Sequence, residues 1–480
     1  MKAKAVKLLL ALFFLFPFSV LFFYFKIKFD YNFEEILWAL KNSLIQSLST
    51  AALSVFFGFF GALGLLQVKG RWHQVLKFLV AVPVFLPSLF SILIGISIIY
   101  FTPLGSLGVI YFLTLINIGF AASVICEEIT AQLGQLGFVG EVYGLTKTKF
   151  LYKILWPLVR KSVGFVFIVI FVNSMTAFTI PLLVGGSRGT NFEVLIYEKI
   201  FIDQNWASAV GLGLMQLAMI AVFAFLLQNR PTLAVREFKS SRLIGSYVGL
   251  AGLALYIKLY FWSYIKLFWE SLDAYFIPEM FNAEFCTAIY NSLILFVFCL
   301  AVFAILFLGV LYLKYEQQNL KFINFFLNPS SVLVGFGFYL LLPANHFFYS
   351  MLKIALVIGV VSFVGFMKLV FENQMHLFES QVKVAKSFGV NYLHFVFKIY
   401  FPQIKKRLHY AISLLFIFSV SEFGLIKVSG AEINTLGTEM ASYLSSYRSE
   451  GAFVISLVIL AIWLIATIIS GAALGVYKKS

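Results

Sequence analysis

Charged residues are scarce in this sequence. Of its 480 residues, 12% are charged and 61% are hydrophobic, and the mean hydropathy is +0.95. A soluble domain is about a quarter charged, so this chain has too few polar groups to cover a globular surface in water. The composition argues against a soluble enzyme and a disordered chain. It predicts an all-α membrane protein with many bilayer-spanning helices.

Cysteine is also scarce, and a nucleotide-binding loop is missing. Cys126, Cys286 and Cys299 show neither the paired spacing of a disulfide scaffold nor that of a metal site. No Gly-Lys dipeptide occurs, so the chain lacks the Gly-x-x-x-x-Gly-Lys-Ser/Thr loop and cannot hydrolyse ATP by that route. We therefore expect the chain to bind no cofactor and no metal ion, and to have no enzymatic activity of its own.

Hydropathy predicts about twelve membrane-spanning helices, with both chain termini in the cytoplasm. In this topology most Lys and Arg residues fall in cytoplasmic segments, which is the bias that sets membrane orientation. The net charge of +15 then reflects the cytoplasmic loops, and we expect no nucleic-acid partner. The predicted spans are 8–25, 43–67, 74–100, 108–126, 163–184, 208–228, 243–268, 289–313, 325–343, 350–371, 409–427 and 451–475.

The chain contains an internal repeat. Asn42-Ser43-Leu44-Ile45 recurs 249 residues later as Asn291-Ser292-Leu293-Ile294. Two outer loops also correspond, at 185–206 and 429–450. The sequence therefore predicts two six-span halves, 1–228 and 243–480, joined by a cytoplasmic linker at 229–242. An even number of spans in each half makes the repeats parallel, with a pseudo-two-fold axis along the membrane normal.

The two longest predicted cytoplasmic loops, about 127–162 and 372–408, share a second repeated pattern. Gly144 and Pro157 are 13 residues apart, as are Gly389 and Pro402, 245 residues further on. Each loop is predicted to form a short helix, a glycine break with positive φ, a second short helix, and a proline at the start of the next span.

Apolar residues at helical spacing lie between each glycine and its proline. They form a small apolar face outside the bilayer, which must cover either another protein or the ends of the chain's own helices. These residues are Phe150, Leu151 and Ile154 in the first loop, and Phe395, Val396 and Ile399 in the second.

Both loops resemble the E-A-A loop of the permease subunits of binding-protein-dependent ABC importers. The resemblance covers nearly the whole chain and implies two tandem type I permease halves. It also implies that the Gly144–Pro157 and Gly389–Pro402 segments dock on a cytoplasmic ATPase. The arrangement of both permease halves in a single chain is similar to that of thiamine or ferric iron permeases. This similarity is carried by Leu183–Gly186 with Phe192–Tyr197, and by Ser421–Gly424 with Ser445–Ala452.

The loops depart from the family pattern at its first position. The residues in place of Glu-Ala-Ala are Phe138-Val139-Gly140 and Lys383-Val384-Ala385. The glutamate is therefore missing from both, which affects the ion pairs expected with the ATPase. The resemblance still implies two copies of an ABC ATPase, a periplasmic binding protein and a bilayer as partners, in the inner membrane of a bacterium.

Four residues are candidates for the substrate pathway. Glu422 ends the eleventh predicted span, where an acidic residue either meets a cationic cargo or lies in water at the outer interface. Asn173 and Ser174 are polar positions in the fifth span, which either line the pathway or join helices by hydrogen bonds. Tyr447 lies in the second outer loop, either at the exit of a docking surface or as an interfacial aromatic residue.

The sequence leaves two matters open. An ion-gradient-driven secondary transporter is the alternative to an ATP-driven importer, and it would need matched carboxylates or broken helices within the membrane. The cargo is thiamine, ferric iron or another small solute with a positive charge. Acidic residues in the outer loops either form a vestibule for such a cargo or merely reflect the lack of lysine there; they include Glu34, Glu35, Glu193, Glu198, Asp203 and Glu439.

Overall fold

The computed structural model describes residues 4–13, 32–99, 103–133, 136–227, 243–272, 277–318, 331–341, 346–369, 371–428 and 433–476. Within these ranges the secondary structure is helical, and no strand occurs. The predicted linker 229–242 and most of the predicted first span lie outside the described residues.

The first part of the chain contains eleven helices among the described residues. They are α1 (4–13), α2 (Phe33–Leu65), α3 (Arg71–Phe85), α4 (Ser88–Ile99), α5 (Ser106–Leu133), α6 (Leu136–Val142), α7 (Lys147–Phe150), α8 (Trp156–Met175), α9 (Phe192–Phe201), α10 (Trp206–Leu227) and α11 (Tyr247–Leu272). Two π-helical turns, Leu151–Leu155 and Pro181–Gly185, accompany them.

Ten further helices follow among the described residues. They are α12 (Ile277–Met280), α13 (Ala283–Tyr315), α14 (Ser331–Leu341), α15 (Phe347–Leu369), α16 (Glu372–Ser387), α17 (Tyr392–His394), α18 (Phe401–Ser421), α19 (Gly424–Val428), α20 (Leu436–Ser445) and α21 (Ser449–Ala473). A third π-helical turn, Phe395–Tyr400, joins α17 to α18.

Seven of the helical segments are long and apolar enough to cross a bilayer, so the chain is a multi-pass membrane protein. They are Phe33–Leu65, Ser106–Leu133, Lys147–Met175, Tyr247–Leu272, Ala283–Tyr315, Phe347–Met367 and Ser449–Ala473. This search covers the described residues only. The total of twelve spans and the cytoplasmic position of both termini remain predictions.

The predicted third span, 74–100, is not one straight helix. It consists of α3 and α4, which meet at an angle of 101°. Leu86 between them is extended, with ψ of 143°, and Pro87 follows it. A residue before proline avoids the helical region, and proline has no N–H to continue the hydrogen-bond ladder. The helix therefore ends where hydropathy alone predicts a continuous span.

The described residues group into two compact units that each combine separate stretches of chain. The first unit comprises Asp30–Leu195 and Leu214–Asp273, and the second comprises Met1–Phe29, Ile196–Gly213 and Ala274–Ser480. Helix α11, which begins the predicted second half, belongs to the first unit, whereas α1 belongs to the second. The division into sequence halves at 228 and 243 remains a prediction about the repeat.

Close backbone contact holds α11 in the first unit. A Cβ atom added at Gly64 of α2 would lie 2.4 Å from the carbonyl carbon of Gly249 in α11. Only glycine permits such an approach, and small residues serve helix pairs in membranes in this way. Further along α11, the Tyr256 hydroxyl donates a 2.8 Å hydrogen bond to the Leu115 carbonyl oxygen of α5. Helix α11 therefore packs on helices of the predicted first half, although it begins the predicted second half in the sequence.

Candidate functional site

Both predicted cytoplasmic loops contain the glycine break expected from the sequence. Gly144 and Gly389 follow α6 and α16 with φ angles of +65° and +68°. In the first loop the N–H of Leu145 donates to the Gly140 carbonyl at 3.0 Å, and in the second the N–H of Val390 donates to the Ala385 carbonyl at 3.1 Å. This is the Schellman arrangement, in which a glycine with positive φ closes a helix end.

The second short helix of each loop is not separate from the next span, contrary to the prediction. Helix α7, the π-helical turn and α8 form one segment, Lys147–Met175, of 29 residues. From Tyr392 to Ser421 the second loop is likewise unbroken. Pro157 and Pro402 are the second residues of α8 and α18. A proline ring collides with the carbonyl four residues earlier, and the wider π-helical turn before each proline relieves that collision.

The apolar face between each glycine and proline covers the chain's own helices. Phe150 is fully buried, and a Cβ added at Gly140 would lie 3.0 Å from its ring. Phe395 and Val396 are also buried, and the Phe395 ring lies 5.3 Å from that of Phe378 in α16. Leu151 and Ile154 are half-buried, while Ile399 is 37% exposed. Three of the six residues are thus buried against the chain itself, whereas Leu151, Ile154 and Ile399 keep part of their surface accessible.

A different set of apolar side chains points outward from both loops. In the first loop these are Val139, Tyr143 and Tyr152, and in the second Val384, Phe388 and Phe397. Each member of the first set lies 245 residues before its counterpart, which is the offset of the two glycines. Tyr143 and Phe388, next to the glycines, are each 80% exposed. We call each set of three residues the outward face of its loop.

We call the glycine-capped turn of each loop, at Gly144 and at Gly389, together with its flanking helices, a corner. The corresponding positions Lys147 and Tyr392 connect the two corners to the rest of their units by different bonds. The Lys147 ammonium donates to the Gly245 carbonyl oxygen, just before α11. The Tyr392 hydroxyl donates to the Leu308 carbonyl oxygen of α13 at 2.7 Å. Burial raises the pKa of Tyr392 to about 12, so the hydroxyl keeps its proton and its donor role even at a pH where an exposed tyrosine would ionise.

Exposed basic side chains lie close in sequence to the outward face of each loop. Lys149, Lys153, Lys383 and Lys398 are all exposed, and no carboxylate occupies the first position of either motif. The two loops therefore present an apolar surface with a positive rim. Such a surface favours a partner with an apolar groove and acidic edges.

The four candidate pathway residues are divided between the two compact units. Asn173 and Ser174 belong to the first unit, where Asn173 is exposed and Ser174 is buried. Glu422 and Tyr447 belong to the second. The Glu422 carboxylate accepts a 3.2 Å hydrogen bond from the N–H of Leu425 and so caps the short helix α19. Tyr447 follows α20 with φ of +58° and is 75% exposed.

The sequence groups Glu193 with the acidic residues of the predicted outer loops, but it does not predict that this side chain is buried. The structure buries Glu193 completely at the start of α9. Its carboxylate accepts a 2.9 Å hydrogen bond from the side-chain amide of Gln216 in α10, and the same amide lies 3.4 Å from the Met175 carbonyl oxygen. The local sequence gives no sign of this contact, because α9 and α10 meet only through the tertiary fold.

The sequence is similar to permease proteins of known transport systems. The thiamine transport system permease proteins ThiP of Brucella abortus, Brucella suis and Brucella melitensis are each 23% identical to it over 330 residues. The match covers 63% of this chain and 60% of each relative's length. No family model matches the sequence, and no solved structure matches it. The chain therefore spans less than two thirds of the length of these permease proteins, and its own sequence is rich in apolar helices.

Proposed function

We propose that this chain is the permease subunit of an ATP-driven ABC importer in a bacterial inner membrane. The observation that carries the proposal is the pair of matching corners, with glycine caps 245 residues apart and equivalent exposed aromatic residues beside them. The similarity to thiamine transport system permease proteins supports the same assignment. Two copies of a cytoplasmic ATPase would dock on the two outward faces, one on each.

The buried and exposed residues of each corner would have different roles in this docking. Tyr143, Tyr152, Phe388 and Phe397 would enter the ATPase groove, because they are exposed aromatic residues at corresponding positions of the two loops. Phe150 and Phe395 would instead keep each corner rigid from within, together with the buried Val396 and the half-buried Leu151 and Ile154, while Ile399 would lie at the edge of the corner. The lysines of the positive rim would form ion pairs with acidic groups of the ATPase. These pairs would replace the ion pairs that the family's motif glutamate forms and that this chain, without the glutamate, cannot form.

The helices that run unbroken from each corner into a span suggest how movement of the ATPase would be transmitted to the membrane-spanning part of the chain. Lys147–Met175 runs from the first corner into a span without a break, and the second corner has the same construction. When ATP closes the ATPase dimer and draws the corners together, each helix would move as one rod, since no loop separates it from its span. Rigid movement of this kind would open the pathway alternately to the two sides of the membrane.

The cargo that we propose is thiamine, with ferric iron as the second candidate, delivered by a periplasmic binding protein. The test is uptake of labelled thiamine, and separately of ferric iron, by membrane vesicles that contain the chain with its ATPase and binding protein. We expect uptake of one of them to require internal ATP and the binding protein, and to survive an uncoupler of the proton gradient. Uptake that survives ATP depletion but collapses with the uncoupler would instead identify an ion-driven secondary transporter.

A further inference from the structure

The repeated Asn-Ser-Leu-Ile motif has a structural role that the proposed docking of an ATPase does not explain. Asn42 and Ser43 lie in α2, and Asn291 and Ser292 lie at the corresponding place in α13. Ser43 and Ser292 are 1% and 0% exposed. Polar side chains buried in the helices of a membrane protein are costly unless they hold a partner group, and each of these side chains holds one.

The serine of each motif binds the start of an outer-loop helix. The N–H of Phe192, the first residue of α9, donates to the Ser43 hydroxyl oxygen at 2.8 Å. The N–H of Leu436, the first residue of α20, donates to the Ser292 hydroxyl oxygen at 2.9 Å. The first N–H groups of a helix have no partner within the helix. In both halves a serine from a different helix supplies that partner.

The asparagine of each motif binds the chain two residues before the same helix. The Asn42 side-chain amide donates to the Thr190 carbonyl oxygen at 3.1 Å and to the Arg188 carbonyl oxygen at 3.2 Å. The Asn291 side-chain amide donates to the Asn434 carbonyl oxygen at 2.8 Å. We call each set of these bonds a latch. Both latches bind the N–H of the first helical residue and the carbonyl oxygen two residues before it, although the loop sequences differ, and Asn42 adds the bond to Arg188 in the first latch.

We propose that the Asn-Ser pairs are positioning residues that fix the outer-loop helices α9 and α20 to α2 and α13. The N-terminal end of each outer-loop helix then moves with its transmembrane helix, and so passes the movement of the span to the face that receives the binding protein. This inference rests on the proposed importer function. It adds to that function a mechanical link on the outer side of each half.

The chain provides a matched control for the first latch. Ser47 lies on α2 one turn after Ser43, is fully buried, and its hydroxyl makes no hydrogen bond within the described part of the chain. Ser43→Ala and Ser47→Ala therefore remove the same atom from the same helix, but only the first removes a latch bond. Ser43→Thr keeps the hydroxyl and should restore the latch.

The first measurement uses the chain alone in vesicles with the outer face exposed. Trypsin cleavage after Arg188, which is exposed and lies in the latched loop, should be at least about fivefold faster in Ser43→Ala and in Asn42→Leu than in the wild type, because a lost buried hydrogen bond favours local opening. Ser47→Ala and Ser43→Thr should be cleaved at the wild-type rate. Equal rates for Ser43→Ala and Ser47→Ala would overturn the latch.

The second measurement uses the complex with ATPase and binding protein. The concentration of binding protein that gives half-maximal stimulation of ATP hydrolysis should rise about fivefold or more in the double variant Ser43→Ala/Ser292→Ala, but not in Ser47→Ala. Faster cleavage without this rise would overturn the link to the binding protein. If the wild-type complex fails to respond to any binding protein, the importer function fails, while the cleavage rates still decide whether the latches hold the loops.

Discussion

Valine at both Gly144 and Gly389 is expected to abolish ATP-dependent uptake while the chain still inserts into the membrane. Both glycines have φ angles near the left-handed region, at +65° and +68°. That conformation costs other residues roughly 1–2 kcal/mol, and β-branched residues are the least suited to it. The corner would relax to a different angle, and the outward face beside it would no longer match its partner. Uptake by vesicles, with the amount of inserted protein measured in parallel, tests this.

Two further variants separate backbone conformation from added bulk. A Cβ at Gly389 would meet nothing within 4 Å, and the same holds for Gly365 within helix α15. Gly365→Val adds the same atoms without positive φ, so its uptake should stay near that of the wild type. Asparagine at positions 144 and 389 should reduce uptake less than valine does, because asparagine tolerates a positive φ. Wild-type uptake in the double valine variant would contradict the role of the corners.

Glutamate at both Tyr143 and Phe388 is expected to release the ATPase from the membrane complex. Each side chain is 80% exposed, so the replacement should not disturb the fold of the chain itself. In the docked complex, however, a charge would be buried without a partner, and this costs several kcal/mol. The amount of ATPase that co-purifies with the chain should fall more than about tenfold, and uptake should fall with it.

The single variants and one distant variant serve as controls for this experiment. Tyr143→Glu and Phe388→Glu alone should each leave one corner able to bind, so that about half of the ATPase is retained, if the two faces act independently. Leu107→Glu places the same charge at a side chain that is 78% exposed on the predicted outer side, and it should retain all of the ATPase. Full retention in the double variant would show that the outward face is not the docking surface.

The sequence predicted those features that depend on local chemistry. Glycine at a helix end and proline at a helix start have strong backbone preferences, so the corners at Gly144 and Gly389 could be located from spacing alone. The Asn-Ser-Leu-Ile repeat likewise pointed to corresponding structure in the two halves. The structure gives both copies the same hydrogen bonds to the outer-loop helices.

Features that depend on tertiary packing could not be predicted in this way. Helical spacing groups Phe150 with Leu151 and Ile154, but it does not tell which side of a helix is covered, and Phe150 is buried whereas Tyr152 is exposed. The 245-residue offset could have drawn attention to Tyr143 and Phe388, because it pairs two aromatic residues beside the two glycines. The burial of Glu193 depends on its contact with Gln216 in another helix, and the residues around Glu193 in the sequence do not predict that contact.

Cysteine labelling can show whether the two corners lie on the same cytoplasmic side and hold the ATPase. Single cysteines are placed at 143 or at 388, after the three native cysteines are replaced, and are treated with a membrane-impermeant maleimide. We expect both positions to react only from the cytoplasmic side, and we expect bound ATPase to protect both. If the two positions were labelled from opposite sides of the membrane, the corners could not hold the ATPase as proposed.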